Sequence, residues 1–392
     1  MKPLSLLVLL TSSACASTNP APSAASPAPS PAPAPAGTAA AAPPSNPTSV
    51  PPPAAEASAT PATEATSPSA PPATHGGLAR GDGSKADDEL ALGDQSYEVD
   101  DLPAAKKHFE QAKKLAPKDP APELGLVRVA LAQTGLPTDY GAAAKDARVA
   151  ALAKRIDALL ARAPEYGLAH VERGRVALML GRAEPALEAL KRGLELLPND
   201  AEAQSALGVA LIAVGRSGEA LPYFRRAAAL EPSSAERLTN LGTVHLLLGQ
   251  VSDAVSAFEH AATLSPGDAR VHSDLGTAYL TQNKLERAVS ELKRAVELDP
   301  ARATFRSNLS YAYAQSGKVE LAIATAREAI KLDPALGSAW INLGTAFAKK
   351  GDYAEAERAF NKALALDPSD PRPKANLVDL QELKSKGGKA PP

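Results

Sequence analysis

The chain has 392 residues, a formal net charge of −2, 44% hydrophobic but only 4% aromatic side chains, 36 prolines and one cysteine. A single cysteine excludes a disulfide scaffold and any multi-thiolate zinc or iron–sulfur site. Only Lys2, Glu56 and Glu64 carry charge before Leu78, and beyond it acids and bases balance, so no basic field exists to hold nucleic acid or anionic lipid.

At the start, Met1-Lys2 and an apolar run from Leu4 to Leu10 precede Thr11-Ser12-Ser13-Ala14-Cys15. A positive end, a short hydrophobic segment and small residues predict an export signal over 1–14, because so short a run cannot span a bilayer as a permanent helix. The small residues before Cys15 resemble the lipobox of bacterial lipoproteins, with Ser12 where that pattern has Leu. The resemblance implies that Cys15 becomes the first residue and carries a lipid, and Ala16 after it is similar to the pattern that sends such proteins to the Gram-negative outer membrane. Ordinary cleavage after Ala16 is the alternative, since Ala14-Cys15-Ala16 also satisfies the small-x-small rule.

Residues 15–77 read as a disordered tether. Between Pro20 and Pro72 lie 17 of the 36 prolines, among Ala, Ser and Thr, a composition that cannot bury a core and favours polyproline II. At about 3.1 Å per residue its reach is at most ~190 Å. Arg80-Gly81-Asp82 at its end spells an integrin tripeptide, too short a match to carry weight.

Next comes a period. Pro164, Pro198, Pro232, Pro266, Pro300, Pro334 and Pro368 each follow the last by 34 residues. With proline at position 32 of a repeat, Gly174, Gly208, Gly242, Gly276, Ser310 and Gly344 stand at position 8, alanines from Ala186 to Ala356 at position 20, and Gly193 with alanines to Ala363 at position 27. Small residues there let two antiparallel helices, A and B, approach closely; leucines at position 7 fill the space between, and proline ends helix B. A turn residue near position 15, usually Gly, closes helix A. Pro117 extends the register backward, with Gly93, Ala105 and Phe109 in place and Ser84 with Asp87 as a capping-box-like start. Pro117 to Pro164 carries 13 extra residues, expected within Thr134–Ala150 as a longer loop or lengthened helix. Pro185 and Pro222 fall in or near the first turn of helix B, where a missing N–H costs little.

This pattern resembles the tetratricopeptide repeat family, and residues 337–370 come closest to it, with Trp340, Leu343, Gly344, Phe347, Ala356, Phe360, Ala363 and Pro368 in place. The resemblance implies an all-α, right-handed superhelical solenoid. Its eight repeats are 86–119, 120–166 with the insertion, 167–200, 201–234, 235–268, 269–302, 303–336 and 337–370, with an amphipathic capping helix at 371–386.

In this family helix A lines the concave surface. Position 6 reads Asn240, Asp274, Asn308, Asn342 and, in the cap, Asn376, similar to the asparagine ladder of O-linked N-acetylglucosamine transferase. With helices about 8–10 Å apart and about 3.3 Å per extended residue, one ladder residue meets a bound peptide about every three residues. A primary amide bonds main chain without reading side chains. Thr239, Ser273, Ser307, Thr243, Thr277, Tyr311 and Thr345 make positions 5 and 9 polar and uncharged, and no Lys or Arg stands at positions 5, 6 or 9 between 201 and 370. That argues against a carboxylate clamp. Arg128, Arg175 and Glu172 differ; they read as a charged patch on a solvated face, with a separate binding zone as the alternative.

No His-Glu-x-x-His, Walker loop, dinucleotide fingerprint or metal-spaced cluster occurs, so no enzyme, cofactor or metal is expected. His170 and His272 at position 4, and His245 at position 11, occupy packing positions. The leading expectation is a lipid-anchored envelope scaffold holding an extended segment of a protein partner, similar to the repeat lipoproteins that help secretins and type IV pilus components assemble. An adaptor tethering peptidoglycan enzymes by the convex face or the insertion is the second, and self-association of the array the third.

Overall fold

A computed structural model describes residues 77–138 and 140–385, and these form 17 helices and no strand. The export signal, Cys15 and the spacer to residue 76 lie outside the described residues. The first helices of the repeats are α1 (Lys85–Glu98), α3 (Ala121–Ala132), α5 (Gly167–Met179), α7 (Ala201–Ala213), α9 (Ala235–Leu247), α11 (Ala269–Thr281), α13 (Ala303–Gln315) and α15 (Gly337–Lys350). Their partners are α2 (Leu102–Leu115), α4 (Ala147–Arg162), α6 (Ala183–Leu196), α8 (Ser217–Leu230), α10 (Val251–Leu264), α12 (Leu285–Leu298), α14 (Val319–Leu332) and α16 (Tyr353–Leu366), and α17 (Pro371–Ser385) follows. Each helix packs on the next in the chain, and successive A helices also touch one another, which puts helix A on the inner side of a tetratricopeptide-type solenoid.

Local chemistry sets the boundaries. Helix A closes on a left-handed residue at position 15: glycine in most repeats, with Asp100 (φ 61°) and Asn283 (φ 57°) taking the same conformation. Four of the A helices start on a capping side chain, as where Asp200 accepts from the Ala203 N–H and Ser234 from that of Arg237.

Position 8 is small because the side chain at position 24 lies across it. A Cβ added to Gly208 would stand 2.6 Å from the Phe224 ring, and one on Gly344 2.5 Å from that of Phe360. Phe109, Phe224, Phe258 and Phe360 are thereby fully enclosed, each stabilising the array by about 1.5–3 kcal/mol. The seventh repeat inverts the pair. Ser310 stands at position 8, its hydroxyl bonded to the Ser307 carbonyl at 2.8 Å, and position 24 shrinks to the buried Ala326. We expect Gly344→Ala to cost about 1–3 kcal/mol by overpacking, read as a lowered urea midpoint; an unchanged midpoint would mean that the ring moves aside freely.

Position 4 has a role that sequence did not suggest. Its side chain donates to the carbonyl of the proline that ends the previous repeat: His170 to Pro164 (2.8 Å), Gln204 to Pro198 (3.0 Å), His272 to Pro266 (3.1 Å), Trp340 to Pro334 (3.0 Å) and Lys374 to Pro368 (3.1 Å), with Arg306 likewise on Pro300. Five different residue types do one job, tying helix A to the helix B before it through an acceptor that helix B cannot use itself. His245 is buried and bonds Gln250.

Two expectations about irregularities are refined. The second repeat's extra residues form a loop, described over 133–138 and 140–146, and α4 has 16 residues against 14 in the other B helices. That loop is fastened to the end of α5: the Gly141 and Ala143 N–H groups donate to the Leu178 and Met179 carbonyls (2.9 and 2.8 Å), and the Tyr140 hydroxyl to that of Gly181 (3.0 Å). Pro222, placed by sequence near the first turn of helix B, lies inside α8 as its sixth residue. Both Pro222 and Gly218, whose carbonyl loses its helical donor, are exposed, so water replaces the bond.

Candidate binding face on the A helices

The ladder residues lie on successive A helices, and their amides reach backward. Asn342 Nδ2 donates to the Ser307 carbonyl and hydroxyl at 2.9 and 3.0 Å, and Asn308 Nδ2 to the Ser273 hydroxyl at 3.2 Å. Position 6 thus bridges to position 5 of the repeat before, and the donor half of these two amides is engaged in holding neighbouring A helices together. Asn240, Asp274 and Asn342 are buried, while Asn308 and Asn376 are half-buried.

Asp274 breaks the pattern. Thr239, its position-5 counterpart, donates instead to the Ala235 carbonyl at 2.8 Å. Burial pushes the Asp274 carboxyl up to about 8, with Arg270 pulling it down and Asp268 adding to the rise.

The acids and arginines of repeats two to five are not a solvated patch. Arg128, Glu172, Arg175, Glu202 and Arg237 are all buried, Glu172 to 1% exposure, and they form one chain of ion pairs across α3, α5, α7 and α9. Glu172 lies 3.4 Å from Arg128 and 3.2 Å from Arg175; Glu202 lies 3.1 Å from Arg175 and 3.0 Å from Arg237; Arg237 also meets Glu231 and Glu236 at 2.9 and 3.2 Å. The correction has a physical cause: adjacent A helices stack these side chains against each other and exclude water. Burial works against the Glu202 charge, but Arg175 and Arg237 outweigh it and hold the carboxyl below its ordinary range. Glu236, at the edge, is pushed up by burial to about 7 despite Arg237. No single repeat position carries the network, so the period of 34 could not reveal it.

On the first repeat the same face already holds main chain. Residues 78–82 run back along α1, with the Leu78 and Ala79 N–H groups donating to Asp94 (2.5 and 3.1 Å) and those of Arg80, Gly81 and Asp82 to Asp87 (2.6, 2.7 and 3.1 Å). Asp87 and Asp94 stand at positions 2 and 9. Leu78 is buried in the core with Leu90, and Arg80 pairs with Asp119. Arg80-Gly81-Asp82 is thus part of a docked strap. The Ser84 hydroxyl accepts from the Asp87 N–H at 3.1 Å, so the expected cap forms, while the Asp87 carboxylate serves the strap.

Among the described residues no group of three or more His, Cys, Asp or Glu side chains could hold a metal ion, and no helix is long and apolar enough to cross a membrane.

Residues 205–269, 273–337 and 337–370 match family models of the tetratricopeptide repeat. From 205 to 370 the chain therefore carries tetratricopeptide repeats. Among solved structures, the Cut9–Hcn1 hetero-tetramer of the APC/C shares the fold, with a TM-score of 0.57 at 15% identity over 76% of this chain and 56% of that one. PilF of Pseudomonas aeruginosa aligns at 19% identity over 55% of this chain and 98% of its own, TM-score 0.46. YrrB, described as a repeat protein with an unusual peptide-binding site, aligns at 23% identity over 48% and 97%, TM-score 0.38. No curated protein matches the chain.

Proposed function

We propose that this protein is a non-catalytic protein-interaction scaffold whose helix-A face holds an extended segment of a partner. The observation that carries the reading is the strap: on α1, carboxylates at positions 2 and 9 take five main-chain N–H groups of residues 78–82, a segment that turns through the left-handed Gly81 (φ 72°). The A-helix face holds main chain in one repeat, and further along it offers polar side chains in place of the carboxylates, with Thr277 and Thr345 half-buried at position 9. The signal and Cys15 support a location in a Gram-negative envelope with a lipid anchor and the Pro/Ala segment as spacer, and assembly of a pilus- or secretin-like complex is the role such a tethered scaffold fits.

The test uses the groove without touching the helix bridges. Thr277→Arg with Thr345→Arg adds bulk and charge to position 9 of two repeats. Partners captured from envelope extracts by the unaltered chain are expected to be lost from this variant, with its helical circular dichroism unchanged. Identical partner lists would sink the groove reading. They would favour the adaptor reading, for which the observation is a row of half-exposed leucines at position 30 of helix B, Leu115, Leu264, Leu332 and Leu366. The insertion, the other surface that reading could use, is bonded down on α5.

A further inference from the structure

Resting on the groove reading, we propose that the segment bound on the A helices carries a basic side chain whose ammonium or guanidinium group pairs with the Asp274 carboxylate.

Four carboxylates are buried among the described residues: Asp87, Glu172, Glu202 and Asp274. Three are matched. Asp87 accepts from three main-chain N–H groups, Glu172 faces Arg128 and Arg175, and Glu202 faces Arg175 and Arg237. Asp274 is 8% exposed, and among the described residues no hydrogen-bond donor reaches it. A carboxylate largely withdrawn from water without a partner is costly to the fold, and the ladder shows the inexpensive alternative, since Asn308 and Asn342 at the same position bond the preceding helix.

The surroundings favour a cation from outside. At positions 5, 6 and 9 between 201 and 370, Asp274 is the single acid and there is no base, so a ligand's positive charge meets one acceptor and no competitor along that row. Arg270, the cation whose charge acts on Asp274, lies 3.6 Å from Asp268, whose carboxylate also caps the Arg270 N–H at 2.8 Å. The same asymmetry sets specificity: a neutral side chain of equal length gains nothing at this rung, while a basic one removes an unmet desolvation cost.

The probes are two synthetic nonapeptides, Ala-Ser-Ala-Ser-Lys-Ala-Ser-Ala-Ser with blocked ends and its norleucine counterpart, titrated calorimetrically into the full chain. The lysine peptide is expected to bind at least about tenfold more tightly. Because the free carboxyl is largely protonated at pH 7, pairing releases about one proton to the buffer, so the heat of binding changes with the buffer's ionisation enthalpy. Asp274→Asn, which preserves shape and removes the charge, is expected to bind both peptides equally with no proton released. Equal binding of the two peptides by the unaltered chain, or a lysine preference that survives Asp274→Asn, overturns the inference and leaves the groove reading standing. Failure of both peptides to bind overturns both readings.

Discussion

Replacing Glu202 by alanine is expected to destabilise the array by about 3–5 kcal/mol, because it removes the carboxylate that two buried guanidinium groups share. Glu202 sits between Arg175 (3.1 Å) and Arg237 (3.0 Å), with Arg175 buried to 4% and Arg237 to 7% exposure. Neither arginine can swing into water without opening the α5–α7–α9 stack. Arg237 keeps Glu231 and Glu236, so most of the loss falls on Arg175, which keeps Glu172 at 3.2 Å. In a nearest-neighbour array such a loss acts at one interface, so urea unfolding should acquire an early phase in repeats three to five while the last repeats melt as before. The combined variant Arg175→Leu, Glu202→Leu, Arg237→Met removes the charges together and is expected to recover most of the stability. A cost below about 1 kcal/mol for Glu202→Ala would mean that the network is solvated and behaves as surface pairs do.

Asp274→Asn is expected to do the opposite and to do it with pH. In the folded chain the carboxyl ionises near 8, against an ordinary value of 3.8. A raised folded value means that its contribution is fully present at low pH, where both states hold the proton. As pH rises past about 4 the unfolded chain ionises and the native chain does not, so stability falls by up to about 1.4 kcal/mol per unit until the native carboxyl ionises near 8. Asparagine does not titrate. The variant should match the unaltered chain near pH 4, exceed it by about a few kcal/mol at pH 8, and show the gap widening between. Melting temperatures at pH 4.5, 6.5 and 8.5 check this, and a gap that stays constant with pH would show that the carboxyl is hydrated. Glu202, held below its ordinary range, runs the other way and loses its contribution only as pH falls through the acid range.

What was legible in the sequence is what each repeat decides within itself. Glycine against a position-24 ring, the left-handed residue at position 15 and the proline at position 32 are local steric facts, so a period of 34 exposes them, and the helix pairs lie where that register puts them. The ladder residues were also found on A helices, as the register required.

What neighbouring repeats do to one another was decided only by tertiary structure. Asn342 meets Ser307, and Glu202 meets Arg237, 35 residues apart, while Arg128 meets Glu172 across 44. Leu78 folds back on Asp94, and the second repeat's loop closes on the end of α5. The first three pairs join different repeat positions, and each is set by how closely one A helix stacks on the next; the other two depend on where a loop or the leading segment folds back. That spacing decides whether a charged side chain is solvated or paired in the dry, and hence whether Arg128, Glu172 and Arg175 are a surface patch or the interior of the stack.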